Sequence, residues 1–269
     1  MNKILKNTIA ISGSTGFVGQ NLIKYFQENN IRYVPIKRNS FQRKKLPILP
    51  KCFCFIHLVG TGVETIEKSF QEINVEITKK AVDICKKSKI KKIIYFSGLG
   101  VSKKSTSDYF ISKLKAEQII KNSGLNYTIY RPSYIIGKND YLTKNIKKQI
   151  RKRKILIPGT GSYILQPISI NDVCKVVNLS LNSKNFENKT IDLVGPEKLS
   201  FKKFIKNSVS QSNISLKNVS IKQSFDYALT DKRFPYGIED LHILLGNFKG
   251  SHKKLEKLSG FKFIKVKKI

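Results

Sequence analysis

The sequence predicts an α/β protein, a doubly wound parallel sheet with a smaller C-terminal region. Three observations predict it. Strand-length apolar runs alternate with helical patterns along most of the chain. The strands are apolar throughout rather than alternating, as strands of a parallel sheet covered on both faces are. The first strand runs straight into three glycines spaced three apart, Gly13, Gly16 and Gly19.

Residues 8–12 form the first strand, and the glycine turn leads into a helix over 20–28. Gly13 lets the chain reverse, and Gly16 lets the backbone approach a pyrophosphate. Gly19 lets the helix pack closely against the strand. The free N–H groups of the helix start favour phosphate, so Gly13, Ser14, Thr15, Gly16, Phe17, Val18 and Gly19 are read as a dinucleotide cradle. A second strand covers 32–37. Residues 38–51, with Pro47 and Pro50, leave little room for a strand–helix unit, so one sheet edge is expected to be trimmed. Further strands follow over 52–59, 92–97, 127–131 and 190–194. Helices are expected over 69–87 and 109–123. Beyond Gly137 the pattern loosens. A basic amphipathic helix is expected over 142–152, and Pro158, Gly159 and Gly161 read as a turn. Asn171 or Asp172 is expected to cap a helix running to Leu181. Residues 201–269 read as smaller mixed structure.

Composition narrows the function classes. The chain has 269 residues, enough for a large core. No apolar run approaches the ~20 residues that span a bilayer, and residues 1–6 lead into the first strand without a signal-peptide core. The four cysteines have no zinc spacing and read as reduced thiols of a cytoplasmic protein. The formal net charge is +33. A dense run, Lys144, Lys147, Lys148, Arg151, Lys152, Arg153 and Lys154, admits either attraction to polyanions or a merely solvated face. Aromatic residues are not interleaved as in single-strand binders. The solvated reading is taken, with no specific nucleic acid or membrane partner.

Tyr109 and Lys113 lie four apart at the start of a helix and so share a face. An ammonium beside a phenol favours the phenolate. Such a tyrosine can exchange a proton at a carbonyl or carbinol carbon while hydride moves to or from a nicotinamide. The pair also fits a plain surface contact, but it follows directly on the strand that ends Tyr95-Phe96-Ser97.

These motifs form an ordered set. Gly-Ser-Thr-Gly-Phe-Val-Gly (13–19) is followed by Ile-His-Leu-Val-Gly (56–60), Ile-Asn-Val (73–75) and Ile-Tyr-Phe-Ser (94–97). Tyr109 with Lys113 comes next. Tyr-Arg-Pro-Ser-Tyr-Ile-Ile-Gly (130–137), Gln-Pro-Ile-Ser-Ile-Asn-Asp-Val (166–173) and Leu-Val-Gly-Pro-Glu (193–197) complete it. The set resembles the NAD-dependent epimerase/dehydratase family, extended or atypical short-chain dehydrogenases/reductases, over about residues 7–200. The short gap from Ser97 to Tyr109 most resembles the atypical branch that includes complex I accessory-subunit-like proteins.

The resemblance implies a Rossmann-type domain over 1–137, completed by about 163–195. It implies a substrate-side cap from 196–269 with 138–162. It makes Tyr109 the acid–base residue, with Lys113 holding the nicotinamide ribose and tuning Tyr109. Pro132 and Ser133 would border the nicotinamide. His57 and Gly60 would border the adenosine side, although a satisfied buried histidine is an equal reading of His57. Ser97 is the nearest hydroxyl to the reaction centre and reads as structural within the cofactor site.

Two departures stand out. Leu99 occupies the position where sugar epimerases of the family carry a catalytic Ser or Thr. No acid closes the second strand to hold the 2′-OH of NAD. Lys37 and Arg38 stand there instead and suit a 2′-phosphate, which favours NADP(H) over NAD(H). The expected function is an NAD(P)-dependent oxidoreductase or nucleotide-sugar epimerase/dehydratase acting on a small anionic substrate. No metal is expected, and an oligomer is compatible. The alternative is a non-catalytic NAD(P)-binding accessory, assembly or regulatory protein, associated with RNA or membrane.

Overall fold

The computed structural model describes residues 8–209 and 213–269. The described chain runs β1 (Ile9–Ser12), α1 (Phe17–Glu28), β2 (Tyr33–Ile36), β3 (Cys54–His57), α2 (Ile77–Lys87), β4 (Lys92–Phe96), α3 (Asp108–Lys121) and β5 (Asn126–Pro132). It continues through β6 (Ile135–Ile136), α4 (Tyr141–Arg151), β7 (Lys154–Pro158), β8 (Ile164–Leu165), β9 (Ile168–Ser169), α5 (Ile170–Asn182) and β10 (Lys189–Leu193). The last elements are β11 (Leu199–Ser200), α6 (Phe201–Ser208), β12 (Ser215–Val219), α7 (Ile221–Thr230), α8 (Ile238–Leu245) and α9 (His252–Ser259).

Two compact units result. The first runs through Arg131 and includes Cys174–Ile191; the second holds Pro132–Val173 and Asp192–Ile269. The central sheet has the order β10-β5-β4-β3-β1-β2. Its strands β2, β1, β3, β4 and β5 pair in parallel, with Ser12 beside both Ile36 and His57. The β2 edge is trimmed as expected, because residues 38–41 make one 3₁₀ turn and no further strand. The sheet core is apolar. Ala10, Phe55, Ile93 and Ile129 are buried from the strands, and Ala81, Ile84 and Ala116 from the helices.

The second unit has its own core, in which α4 contributes Leu142 and Ile146 against Ile155, Ile157, Phe201, Phe204 and Leu241. Here the sequence reading fell short. Residues 154–158 form β7 and pair in parallel with β12, where the sequence suggested only a turn at Pro158, Gly159 and Gly161. The paired strands β6 and β9 and the paired strands β8 and β11 are two residues long, too short for periodicity to reveal. Among the described residues no helix is long and apolar enough to cross a membrane.

Two helix boundaries also move. Helix α1 opens at Phe17, not at residue 20, because Gly16 is itself the N-cap and Gln20 N–H already reaches the Gly16 carbonyl at 2.9 Å. Helix α5 opens at Ile170. Ser169 Oγ accepts the Asn171 N–H at 3.2 Å, so Asn171 and Asp172 lie in the first turn rather than capping it.

Candidate functional site

The glycine turn is built as the chemistry requires. Gly13 has φ +73°, and a Cβ there would lie 2.8 Å from the Leu58 carbonyl carbon. Gly16 N–H closes the turn onto the Gly13 carbonyl at 3.1 Å. A Cβ on Gly19 would sit 2.3 Å from that same carbonyl oxygen and 2.8 Å from Ser14 Cα. Gly19 therefore keeps the helix against the turn itself rather than against the strand. Helix α1 has no side-chain cap and no acid in its first turn. The N–H groups of Phe17, Val18 and Gly19 are left without intrahelical partners, facing where an anion is favoured. Ser14 and Phe17–Val18 are half-buried and Thr15 is exposed. This cradle, without Cβ bulk and without competing acid, fits a pyrophosphate.

Lys37 and Arg38 are exposed directly after Ile36, which lies in register with Ser12. Register therefore brings the basic pair to the same sheet end as the glycine turn.

Tyr109 and Lys113 converge on the end of β4. Ser107 precedes α3 as its N-cap, putting Tyr109 in the first turn. Tyr109 is half-buried, its ring 5.9 Å from that of Phe70, and its hydroxyl would lie 3.4 Å from a Cβ on Gly98. Lys113 is 5 % exposed. Its ammonium donates to the Phe96 carbonyl at 3.0 Å and to Tyr95 OH at 3.3 Å, and lies 5.0 Å over the Tyr95 ring. Burial brings its pKa down to about 8, opposed by the Glu117 charge. Gly60 makes room for this arrangement, since a Cβ there would be 2.9 Å from Lys113 Nζ and 3.2 Å from Asn74 Oδ1.

His57 takes the satisfied-core role. It is fully buried, so no ring atom is open to a ligand. Ser12 Oγ lies 2.8 Å from Nδ1, and Thr78 Oγ1 lies 3.1 Å from Nε2. Its ring stacks on Tyr95 at 5.7 Å. Burial, reinforced by the Lys113 charge, holds its pKa down at about 3, so it is neutral. Ser97 is buried, its N–H donating to the Tyr130 carbonyl at 2.7 Å. Pro132 ends β5 and Ser133 N–H donates to the Leu193 carbonyl at 3.1 Å; both belong to the second unit.

Sequence reasoning singled out Asn74 only within the Ile-Asn-Val motif, as a helix-packing polar group, and missed the other supports. Asn74 sits in a π-helical turn, Gln71–Glu76, ahead of α2. Its side chain accepts from Thr61 N–H at 2.8 Å, and donates to the Thr61 carbonyl at 3.1 Å and to Ser112 Oγ at 2.9 Å. Ser112 in turn donates to the Tyr109 carbonyl at 2.7 Å. Thr78 donates to the Asn74 carbonyl at 2.7 Å. One buried network therefore runs from Ser12 through His57, Thr78, Asn74 and Ser112 to the Tyr109 backbone. Four residues after Lys113, the side chain of Glu117 is fully buried, held by Arg131 Nε and Nη2 at 2.8 Å each and by Lys121 at 3.2 Å. Burial works to raise the Glu117 pKa, but these bonds outweigh it and keep the carboxyl ionised. Its spacing from Lys113 was the available signal.

The NAD dependent epimerase/dehydratase family matches residues 9–194. The chain belongs to that family. Over 214 residues it is 26 % identical to the NADH dehydrogenase [ubiquinone] 1 alpha subcomplex subunit 9 of Arabidopsis thaliana, covering 70 % of this chain and 53 % of that protein. The chain thus spans about half the length of that relative. It is 25 % identical to an uncharacterized sugar epimerase, YhfK, of Bacillus subtilis, covering 69 % of this chain and 92 % of that one. Among solved structures, UDP-glucuronic acid 4-epimerase of Bacillus cereus, in complex with UDP-glucuronic acid and NAD, superposes with TM-score 0.72. That match is 16 % identical and covers 97 % of this chain and 95 % of that one. It establishes the shared Rossmann-type fold.

Proposed function

We propose that this family member is an NAD(P)-dependent oxidoreductase or nucleotide-sugar epimerase/dehydratase that moves hydride at a carbonyl or carbinol carbon. The observation that carries the reading is the convergence of Tyr109 and Lys113 on the end of β4, in the unit that holds the glycine turn. The nicotinamide, when bound, supplies the hydride donor or acceptor. The chain's own residues do the rest. The turn residues 13–19 bind the pyrophosphate. Lys113 holds the nicotinamide ribose and, as a cation, favours the Tyr109 phenolate. Tyr109 gives a proton to the substrate oxygen in reduction and takes it back in oxidation. Lys37 and Arg38 support NADP(H) over NAD(H). The substrate class, a small anionic nucleotide sugar, is supported by the UDP-glucuronic acid bound to the Bacillus cereus enzyme. A cytoplasmic setting fits four free, buried cysteines.

Leu99 favours a second reading. It is 9 % exposed, an apolar group where sugar epimerases of the family place a catalytic hydroxyl. A non-catalytic dinucleotide-binding accessory protein needs no such hydroxyl, and the Arabidopsis relative is named as a subunit of NADH dehydrogenase.

One experiment separates the two. The protein is incubated with NAD⁺ or NADPH and UDP-glucuronic acid or UDP-glucose, and products are separated by chromatography. Cofactor binding is followed in parallel by thermal melts. The enzyme reading expects conversion by the wild type, none by Tyr109→Phe, and equal melt shifts for both. Conversion by Tyr109→Phe overturns the assigned proton donor. Cofactor-dependent melts without conversion of either sugar favour the accessory reading.

A further inference from the structure

We propose that a cationic cleft within the second unit binds a compact polyphosphate carried on a nucleoside, at a site that shares no residue with the glycine turn. The sequence shows only a basic run; the fold turns part of it into a concave site. In α4, Leu142 and Ile146 face the core, and Asp140 caps the helix by accepting the Thr143 N–H at 2.8 Å. Lys144, Lys148 and Lys152 then recur every four residues on the outward side, as one stripe. Lys154 continues it at the exposed start of β7.

The opposite wall comes from far along the chain. Asn145 Nδ2 donates to the Pro235 carbonyl, and Tyr141 OH donates to Asp240 at 2.9 Å. These bonds lay the 232–235 segment against α4 and bring Lys232 and Arg233 to face the lysine stripe. A cavity of about 580 Å³ lies between, lined by these six cations together with Tyr141, Phe234 and Leu156.

What the lining offers a ligand is decided by what is already engaged. The Gln149 amide donates to Asn145 Oδ1 at 2.8 Å and accepts from Leu156 N–H at 2.9 Å. Asp231, next to Lys232 in sequence, is ion-paired to Arg233 at 3.1 Å, and its charge also acts on Lys152. Among the described residues, no carboxylate lines the cavity. Among the described residues, none of the five lysines makes an ion pair. Lysine ammonium groups are donors only, so the cavity presents a group of cations, with Arg233 paired to Asp231, that a multiply charged anion would neutralise. A single carboxylate or monophosphate would meet only a fraction of them.

Shape narrows the ligand further. The volume is that of a small-molecule site, and a concave site of this size suits neither a flat bilayer nor a duplex. Phe234 adds a half-buried aromatic face, with the rings of Tyr227 and Tyr236 each 5.6 Å away between centroids. A nucleobase stacks on such a face. Multiple phosphates on the lysines and a base at Phe234 together describe a nucleoside polyphosphate.

Calorimetry on the full chain tests this, with NADPH saturating the dinucleotide turn and about 0.15 M salt to screen loose contacts. The probes are ATP, inorganic tripolyphosphate and AMP. Expected is one equivalent of ATP, displaced by tripolyphosphate, with AMP weaker by about tenfold or more. Lys148→Glu with Arg233→Glu should weaken ATP by about tenfold or more and leave the NADPH melt shift unchanged, which also shows that the variant folds. The milder pair Lys148→Gln with Lys152→Gln should weaken ATP in the same direction. Phe234→Leu should weaken ATP but not tripolyphosphate. Absence of ATP binding overturns the proposal, as does equal affinity in the charge-reversed variant. ATP binding no tighter than tripolyphosphate overturns the nucleoside assignment. A single-stranded RNA oligomer that binds tighter than ATP and resists displacement by it also overturns the proposal, and makes the cleft part of a nucleic-acid interface.

Discussion

Lys113→Met should change stability in a way that depends on pH within a defined window. Lys113 is 5 % exposed, and its pKa falls from an ordinary 10.5 to about 8 through burial. At about 1.4 kcal/mol per pH unit, that drop is a destabilisation of roughly 3 kcal/mol by the charged form. The sign follows from proton counts. Below pH 8 the folded and unfolded chains both carry the proton, and the full cost is present. Between 8 and 10.5 the folded chain has released it and the unfolded chain has not, so stability rises with pH. Above 10.5 the cost is gone. Met keeps the length and removes the charge, but it abandons Phe96 O and Tyr95 OH, at about 1 kcal/mol each. The variant should therefore be about 1 kcal/mol more stable than wild type near pH 7 and less stable by about 2 kcal/mol near pH 10.5. Urea denaturation of both proteins in steps across this range, without cofactor, measures the difference. Titrating groups that do not sense Lys113 cancel in that difference. A gap that stays constant from pH 7 to 10.5 refutes the reasoning, because it means that folding does not perturb the ammonium. At neutral pH the same variant should have lost the dinucleotide-induced melt shift.

Three further outcomes follow from single residues. Gly19→Ala forces a Cβ to within 2.3 Å of the Gly13 oxygen; thermal melts should show a loss of about 1–3 kcal/mol and no rise on adding NADPH. Arg38→Ala should weaken NADPH much more than NADH in titrations of protein fluorescence; a wild type that binds NADH tighter shows the basic pair to be incidental. Glu117→Gln breaks the buried contact to Arg131 and should cost about 3 kcal/mol at pH 7. Because the Glu117 pKa is lowered on folding, that difference should shrink as the pH falls through the acid range, which denaturation in acid buffers reads directly.

Much of the first unit was legible because its signals are local. The glycine turn, the all-apolar strands and Tyr109 with Lys113 are each contained in a few consecutive residues, and the trimmed edge followed from two prolines in a short connection. Features that depend on partners remote in sequence were not legible. Ser12 and His57 become neighbours only when the sheet register is set, and Asn74 and Ser112 only when their helical segments pack together. Gly60 read as a cofactor contact, whereas its lack of a Cβ also admits the Lys113 ammonium. The second unit was hardest to read. Its paired strands can be as short as two residues, and β7 pairs with β12 across more than fifty intervening residues. The cationic cleft needs Lys232 and Arg233, which no local pattern around α4 could supply.

The pairing of Tyr109 with Lys113 bears on the choice between enzyme and accessory protein. A protein that only holds a dinucleotide needs the glycine turn, its helix and Lys113 at the ribose, and so bears the same cost of roughly 3 kcal/mol at neutral pH. It does not need a phenol placed one helical turn before that ammonium. The chain nevertheless keeps Tyr109 four residues before Lys113. A fully buried Glu117 side chain favours the ammonium charge, and Asn74 and Ser112 fix the backbone that carries Tyr109. Leu99 opposes this by removing a hydroxyl that could bind the substrate oxygen. Its effect is limited to one hydrogen bond, whereas loss of the Tyr109 proton would remove the reaction. Installing the hydroxyl therefore separates the readings. In an enzyme that uses Tyr109, Leu99→Ser should leave the proton donor unchanged and alter turnover of a nucleotide sugar by about tenfold or less, the worth of one hydrogen bond. In an accessory protein it should produce no turnover.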